Sequence, residues 1–175
     1  MKRLLSILLF LLLIPAAGAE SDSVRIEYEA FDIDVPGDWY VYQEPDGESL
    51  AEEAFLCLWP AIGREDSCSL NVCRAEGTAD SFARYNQYSA RSVAGSAAEA
   101  LGGEDVALTA FEKGERDGRD IMRYAYHMRI GSSTVYFVQL LAAMGDQGVY
   151  TFTVTYYDES ELAQFEPVLE SIRLN

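Results

Sequence analysis

VALTAFEKGERDGRDIMRYAYHMRIGSSTVYFVQLLAAMGDQGVYTFTVTYY, residues 106–157, decides the architecture. It divides into four segments of β character, 106–113, 119–130, 133–144 and 148–157. Their connections are Arg116-Asp117-Gly118, Gly131-Ser132 and Gly145-Asp146-Gln147. Each is short and carries glycine, as hairpin turns do. None holds the roughly dozen residues that a crossover helix needs. Consecutive hairpins make an antiparallel meander.

Side-chain parity ranks these strands by depth. In 119–130 the even positions are Met122, Tyr124, Tyr126, Met128 and Ile130, and the odd ones include Arg119, Arg123, His127 and Arg129. Segment 135–144 is apolar at nearly every position, which predicts cover on both faces. In 149–157, Tyr150, Phe152, Val154 and Tyr156 alternate with Thr151, Thr153 and Thr155, so one face is drier than the other.

Upstream of the meander lies a helical pattern. Thr78 or Asp80 can cap it, and Phe82, Tyr85, Ser89, Val93, Ala97 and Leu101 recur at three- and four-residue steps before Gly102-Gly103 ends it. Segments 55–61 and 69–74 read as two strands around a polar loop at 63–66, preceded by a short helical piece at 48–53. Further upstream, Phe31, Ile33 and Val35 alternate with Asp32 and Asp34, and Trp39 to Tyr42 begins another strand after the Pro36-Gly37-Asp38 turn. Downstream, Asp158 with Glu161 forms a capping box for a closing helix through Leu162, Phe165 and Leu169. Pro167 predicts a kink or a restart, and 171–174 a last short strand. The fold class is α+β, a central antiparallel sheet flanked by helices.

The first nineteen residues carry a different signal. Lys2 and Arg3 precede an apolar run at 4–14, and Pro15 and Ala17-Gly18-Ala19 follow. That order predicts a cleaved signal peptide, 1–19, and one mature domain, 20–175, secreted or periplasmic. No later segment is apolar enough to span a membrane, and no cysteine flanks the cleavage site, so no lipid anchor is expected. Losing Lys2 and Arg3 takes the formal charge from −16 to −18. So acidic a domain repels phosphate backbones, and nucleic acid is excluded as a partner.

Cys57, Cys68 and Cys73 are an odd set for an oxidising compartment. Cys68 and Cys73, five apart, face opposite ways on one strand. Cys57 could meet either across a hairpin, so at most one disulfide is expected, Cys57 with Cys68 or with Cys73. Three cysteines without a neighbouring histidine make no zinc site.

The ending Phe165-Glu166-Pro167-Val168-Leu169-Glu170-Ser171-Ile172-Arg173-Leu174 and the earlier Val35-Pro36-Gly37-Asp38-Trp39, with a mid-chain helix and a four-strand meander between them, resemble the PsbP/DcrB-like fold. The resemblance covers nearly the whole mature chain. It implies an α/β/α sandwich, usually without enzymatic activity, on a scaffold shared by a photosystem II extrinsic subunit, bacterial envelope lipoproteins and a Ran-binding nuclear protein.

The constellations that could carry chemistry are few. His127 is the sole histidine, and no Gly-x-Ser-x-Gly surrounds a serine. Arg119, Arg123, His127 and Arg129 on one strand face could read an anion or carboxylate, but pairing with acids of adjacent strands or a covering helix is the expected outcome. Tyr85 and Tyr88, with Tyr150, Tyr156 and Tyr157, are candidates for a pocket wall. The Asp32–Asp34 and Asp117–Asp120 pairs lack the loop geometry of a calcium site. No cofactor motif and no metal set is present. The sequence therefore predicts a non-catalytic exported domain that binds an envelope or extracellular protein or supports an assembly. The alternative is a module holding a small apolar ligand, and a hydrolase using His127 ranks third.

Overall fold

The structure, a computed structural model, describes residues 22–43, 54–60, 68–77 and 79–175. The signal segment, the helical piece at 48–53 and the loop at 63–66 lie outside the described residues. The elements in order are β1 (Ser23–Glu27), β2 (Phe31–Pro36), β3 (Tyr40–Gln43), β4 (Leu56–Trp59), β5 (Ser69–Ala75), α1 (Ala79–Arg84), α2 (Gln87–Leu101), β6 (Glu104–Arg116), β7 (Arg119–Ile130), β8 (Ser133–Ala143), β9 (Val149–Tyr156), α3 (Glu159–Ser171) and β10 (Arg173–Leu174).

The meander forms as its turns require, and it is extended rather than closed. Strands β6 to β9 pair in sequence and β5 adds to β9, giving an antiparallel sheet of order β3-β4-β5-β9-β8-β7-β6. The two N-terminal strands do not join it. They pair with each other and with β10 in a separate three-stranded sheet. The reason is burial: Phe31, Ile33 and Val35 form one wholly apolar face, which packs on the large sheet instead of extending it.

Two cores result, one on each face of the large sheet. On one side the small sheet and α3 enclose Phe31, Ile33, Leu70, Val72, Phe152, Val154 and Phe165, all buried. On the other side α1 and α2 cover Met122, Tyr124, Tyr126, Met128 and Phe137. Strand β8 contributes Val138 and Leu140 to the first core and Val135 and Phe137 to the second, so it is covered on both faces.

The first helical region differs from its sequence pattern. It breaks at Tyr85, and Asn86 starts a new helix by accepting hydrogen bonds from the backbone N–H groups of Tyr88 and Ser89. The break shifts the helical phase. The buried stripe is Ala90, Ala94 and Ala98, while Val93 and Leu101 are exposed. Alanine at those positions lets α2 lie close to the bulky side chains of β7. Gly102, at φ 66°, ends α2 as expected, and the Gly103 N–H bonds to the Ala98 carbonyl at 2.7 Å.

At the other end of the chain the Asp158–Glu161 capping box forms. Helix α3 then runs through Pro167 as one element, with that residue exposed, rather than restarting there. It ends at Ile172 in an extended conformation, φ −61° and ψ 123°, without a glycine turn and without a basic residue in its last turn. Its carbonyls are met from the sheet instead: Arg116 Nη1 on β6 donates to the Leu169 carbonyl at 2.7 Å.

The possible disulfide, at most one by the sequence, does not form: no bond joins Cys57 to Cys68 or Cys73. Cys68 is buried on the α3 side, facing away from the other two. Cys57 stands directly opposite Asn71, so Cys73, two residues further along β5, is only its diagonal neighbour. Diagonal Cβ atoms lie about 7–8 Å apart or somewhat less, against the roughly 3.8 Å that a disulfide needs.

Candidate functional site

The odd face of β7, which the sequence marks as basic, forms the middle of a trough beside α3. Cross-strand register builds it in three rows. Ala110, Ala125 and Val138 are successive partners on β6, β7 and β8 and make a floor of small side chains. On one side of that floor the row Ala107, His127, Tyr136 and Tyr156 crosses four strands. The Tyr136 and Tyr156 rings stack at 5.3 Å, and His127 lies against Tyr136 at 5.7 Å. On the other side Glu112 is the direct partner of Arg123.

Helix α3 closes the trough. Leu162 lines it with Ala110, Glu112, Arg123, Ala125, Val138 and Tyr156 around an open volume of about 260 Å³. One helical turn on from Leu162, Glu166 accepts a hydrogen bond from Arg123 Nη2 at 2.5 Å. Burial pushes the Tyr156 phenol up; the carboxylates of Glu159 and Glu166 add to the shift and Arg123 opposes it.

The trough depends on a β-bulge. Between Leu108 and Ala110 the β6–β7 register slips, so Ala107 and Ala110 lie on one face although their parity differs. Without that slip Glu112 would face α2 instead of standing beside Arg123.

The predicted arginine stripe is brought together only in part, and its members pair inside the protein. Arg123 is held by Glu166. Arg129 bonds to Glu104 at 2.5 Å and to Asp105 at 2.9 Å. Arg119 Nη2 donates to the Asn175 carbonyl at 2.8 Å. Arg123 and Arg129 thus pair with acids of α3 and β6, and Arg119 with a backbone carbonyl. His127 touches Tyr136 and, among the described residues, makes no hydrogen bond to a serine or cysteine.

The tyrosine wall is also redistributed. Tyr85 packs in the α2-side core, 6.2 Å from Tyr124, and their hydroxyls meet at 3.4 Å. Tyr124 in turn donates to Gln139, whose amide reaches Thr153 Oγ1 at 3.0 Å. Tyr88 is 80% exposed and lines nothing with Tyr85. Tyr156 belongs to the trough on the opposite face of the sheet. The sequence reading missed Ala110, Glu112, Tyr136, Leu162 and Glu166, because their meeting depends on register and on where α3 lies.

Among the described residues, no group of three His, Cys, Asp or Glu side chains could hold a metal ion. Asp34 is engaged by Arg25 at 2.8 Å and Arg173 at 3.8 Å, and the Arg25 bond draws its carboxyl below the usual range.

The layering, with helices on one face of an extended antiparallel sheet and a helix plus a small sheet on the other, defines a PsbP-like α/β/α sandwich. No family model and no curated protein matches the sequence. Among solved structures, the chain is similar to the cyanobacterial PsbP (CyanoP) from Synechocystis sp. PCC 6803. The TM-score is 0.65 at 14% identity, over 91% of this chain and 96% of that one. It is also similar to LpqN, involved in cell envelope biogenesis of Mycobacterium tuberculosis, with a TM-score of 0.54 at 10% identity over 87% and 90% of the two chains. At such identities the likeness is one of fold.

Proposed function

We propose that this protein is an exported, non-catalytic binding domain of the cell envelope and that its partner is a protein with a basic surface. One observation carries the reading. Every described lysine and arginine except Arg91 is engaged by a carboxylate or a backbone carbonyl of its own chain. The cations are therefore used to hold the fold, while carboxylates such as Glu112, Glu115, Asp120 and Glu159 are left on the surface of a chain already far on the acidic side. A field of that sign steers basic surfaces in and turns anionic ones away.

Export is supported by the leader-like first nineteen residues, and the envelope setting by the fold shared with LpqN. The small-ligand alternative has no comparable support. Two grooves lined by described residues, of about 260 and 360 Å³, are open to solvent.

In-cell crosslinking followed by reconstitution from purified components tests the reading. The expected result is a one-to-one complex with a protein basic at its contact surface, weakening at least tenfold between about 0.05 and 0.5 M salt as the Debye length shrinks. A partner that is acidic there, an affinity indifferent to salt, or no stoichiometric partner would refute it.

A further inference from the structure

We infer that the trough between α3 and strands β6 to β8 is the contact point for that partner, and that it receives an arginine or lysine side chain. The inference rests on the proposed binding role and assigns it to a definite place. Three features of the trough select a cation carried on an apolar stem.

The first is the floor. Ala110, Ala125 and Val138 offer a floor of small apolar side chains across three adjacent strands, on which a methylene chain can pack. Arginine and lysine stems pack on such surfaces while their heads stay polar. The second is the aromatic row. Tyr136 and Tyr156 stack side by side across β8 and β9, with His127 against Tyr136 on β7. Aromatic faces attract cations, guanidinium most of all.

The third is charge. Among the described residues, Arg123 is the one arginine or lysine lining the trough, and Glu166 holds it. Glu112 is exposed, lines the trough and stands beside Arg123 on the neighbouring strand. The Glu112 carboxylate therefore lines the space, and among the described lining residues no uncommitted arginine or lysine opposes it. An anion would have to displace Glu166 from Arg123 and then sit beside Glu112. A second copy of this acidic chain is disfavoured by the same charges.

The test is an amide-detected NMR titration of the exported protein with N-acetyl-arginine methylamide, against the neutral isostere N-acetyl-citrulline methylamide. The expected result is saturating shifts at Ala125, His127, Tyr136 and Tyr156. The citrulline probe should bind about fivefold more weakly, the size of one cation–aromatic contact. Glu112→Gln and Tyr136→Leu should each weaken the arginine probe, and Glu112→Gln should leave the urea midpoint within a few tenths of a molar unit. Equal affinity for the two probes overturns the inference, as do shifts centred on another face. With the basic partner in hand, a complex that keeps its affinity in the Glu112→Gln and Tyr136→Leu variants also overturns the trough while leaving the acidic-surface reading intact. Failure to form any complex removes that reading itself.

Discussion

Replacing Arg116 with methionine isolates a single interaction between the large sheet and α3. The helix ends in extended backbone at Ile172, so its last carbonyls have no turn of their own to satisfy them. Arg116 Nη1 reaches the Leu169 carbonyl at 2.7 Å and lies 3.5 Å from the Ile172 carbonyl, too far for more than a weak second bond.

A hydrogen bond from a charged donor contributes about 1.5–3 kcal/mol, and a cation at a helix C-terminus belongs to the same interaction rather than adding to it. Partial burial favours the lower half of that range. Relief of repulsion from Arg119, the direct cross-strand partner of Arg116, returns a few tenths of a kcal/mol. The net loss is therefore about 1.5 kcal/mol, with the apolar stem of the side chain preserved.

For a chain of this length that corresponds to a melting temperature lower by about 3–6 °C. With an m-value near 2 kcal/mol per molar, the urea midpoint falls by about 0.7 M. Circular dichroism at fixed pH measures it, and m should not change. Arg84→Met is the control, since Arg84 Nε bonds only to the Asp80 carbonyl on its own exposed helix, at 3.2 Å. It should cost less than about 0.5 kcal/mol. A shift below about 0.3 kcal/mol for Arg116→Met, or equal shifts for the two variants, would falsify the capping account.

Three further outcomes are expected. Burial foremost, then Tyr85, pushes the Tyr126 phenol up to about 12, and Tyr124 rises further for the same leading reason. Unfolded tyrosines ionise near 10, so this contribution to stability is intact below pH 10 and is lost as pH rises toward 12. The slope is roughly 1.4 kcal/mol per pH unit for each. Urea midpoints from pH 9 to 12 check this, and an unchanged slope in Tyr126→Phe counts against it.

Burial also pushes the Cys57 and Cys73 thiols up. Alkylation without reductant should be slow in the native protein and add three groups per chain in denaturant. A single group would reveal a disulfide. Gly148 sits at φ 90° and ψ −154°, and a Cβ there would lie 2.5 Å from the Ala75 carbonyl oxygen. Gly148→Ala should destabilise by more than about 2 kcal/mol in the same melts, and a neutral effect would disprove the close approach.

The sequence by itself determined the meander, the two helix-capping signals at Gly102 and Asp158, the double cover of β8 and the basic face of β7. These are local properties: turn chemistry, side-chain parity and capping are written within a few residues of where they act. Tertiary structure alone decided the remainder. Parity cannot reveal the bulge at Leu108–Ala110, because an unpaired residue leaves no mark on the alternation, yet that slip brings Glu112 beside Arg123. Nor could spacing show that Asn86 restarts the helix on an alanine stripe, since Val93 and Leu101 fit the same period. Cys57 and Cys73 share a face but stand diagonally, which depends on the β4–β5 register. Each of these is a contact between distant segments, fixed by the packing of one layer on another.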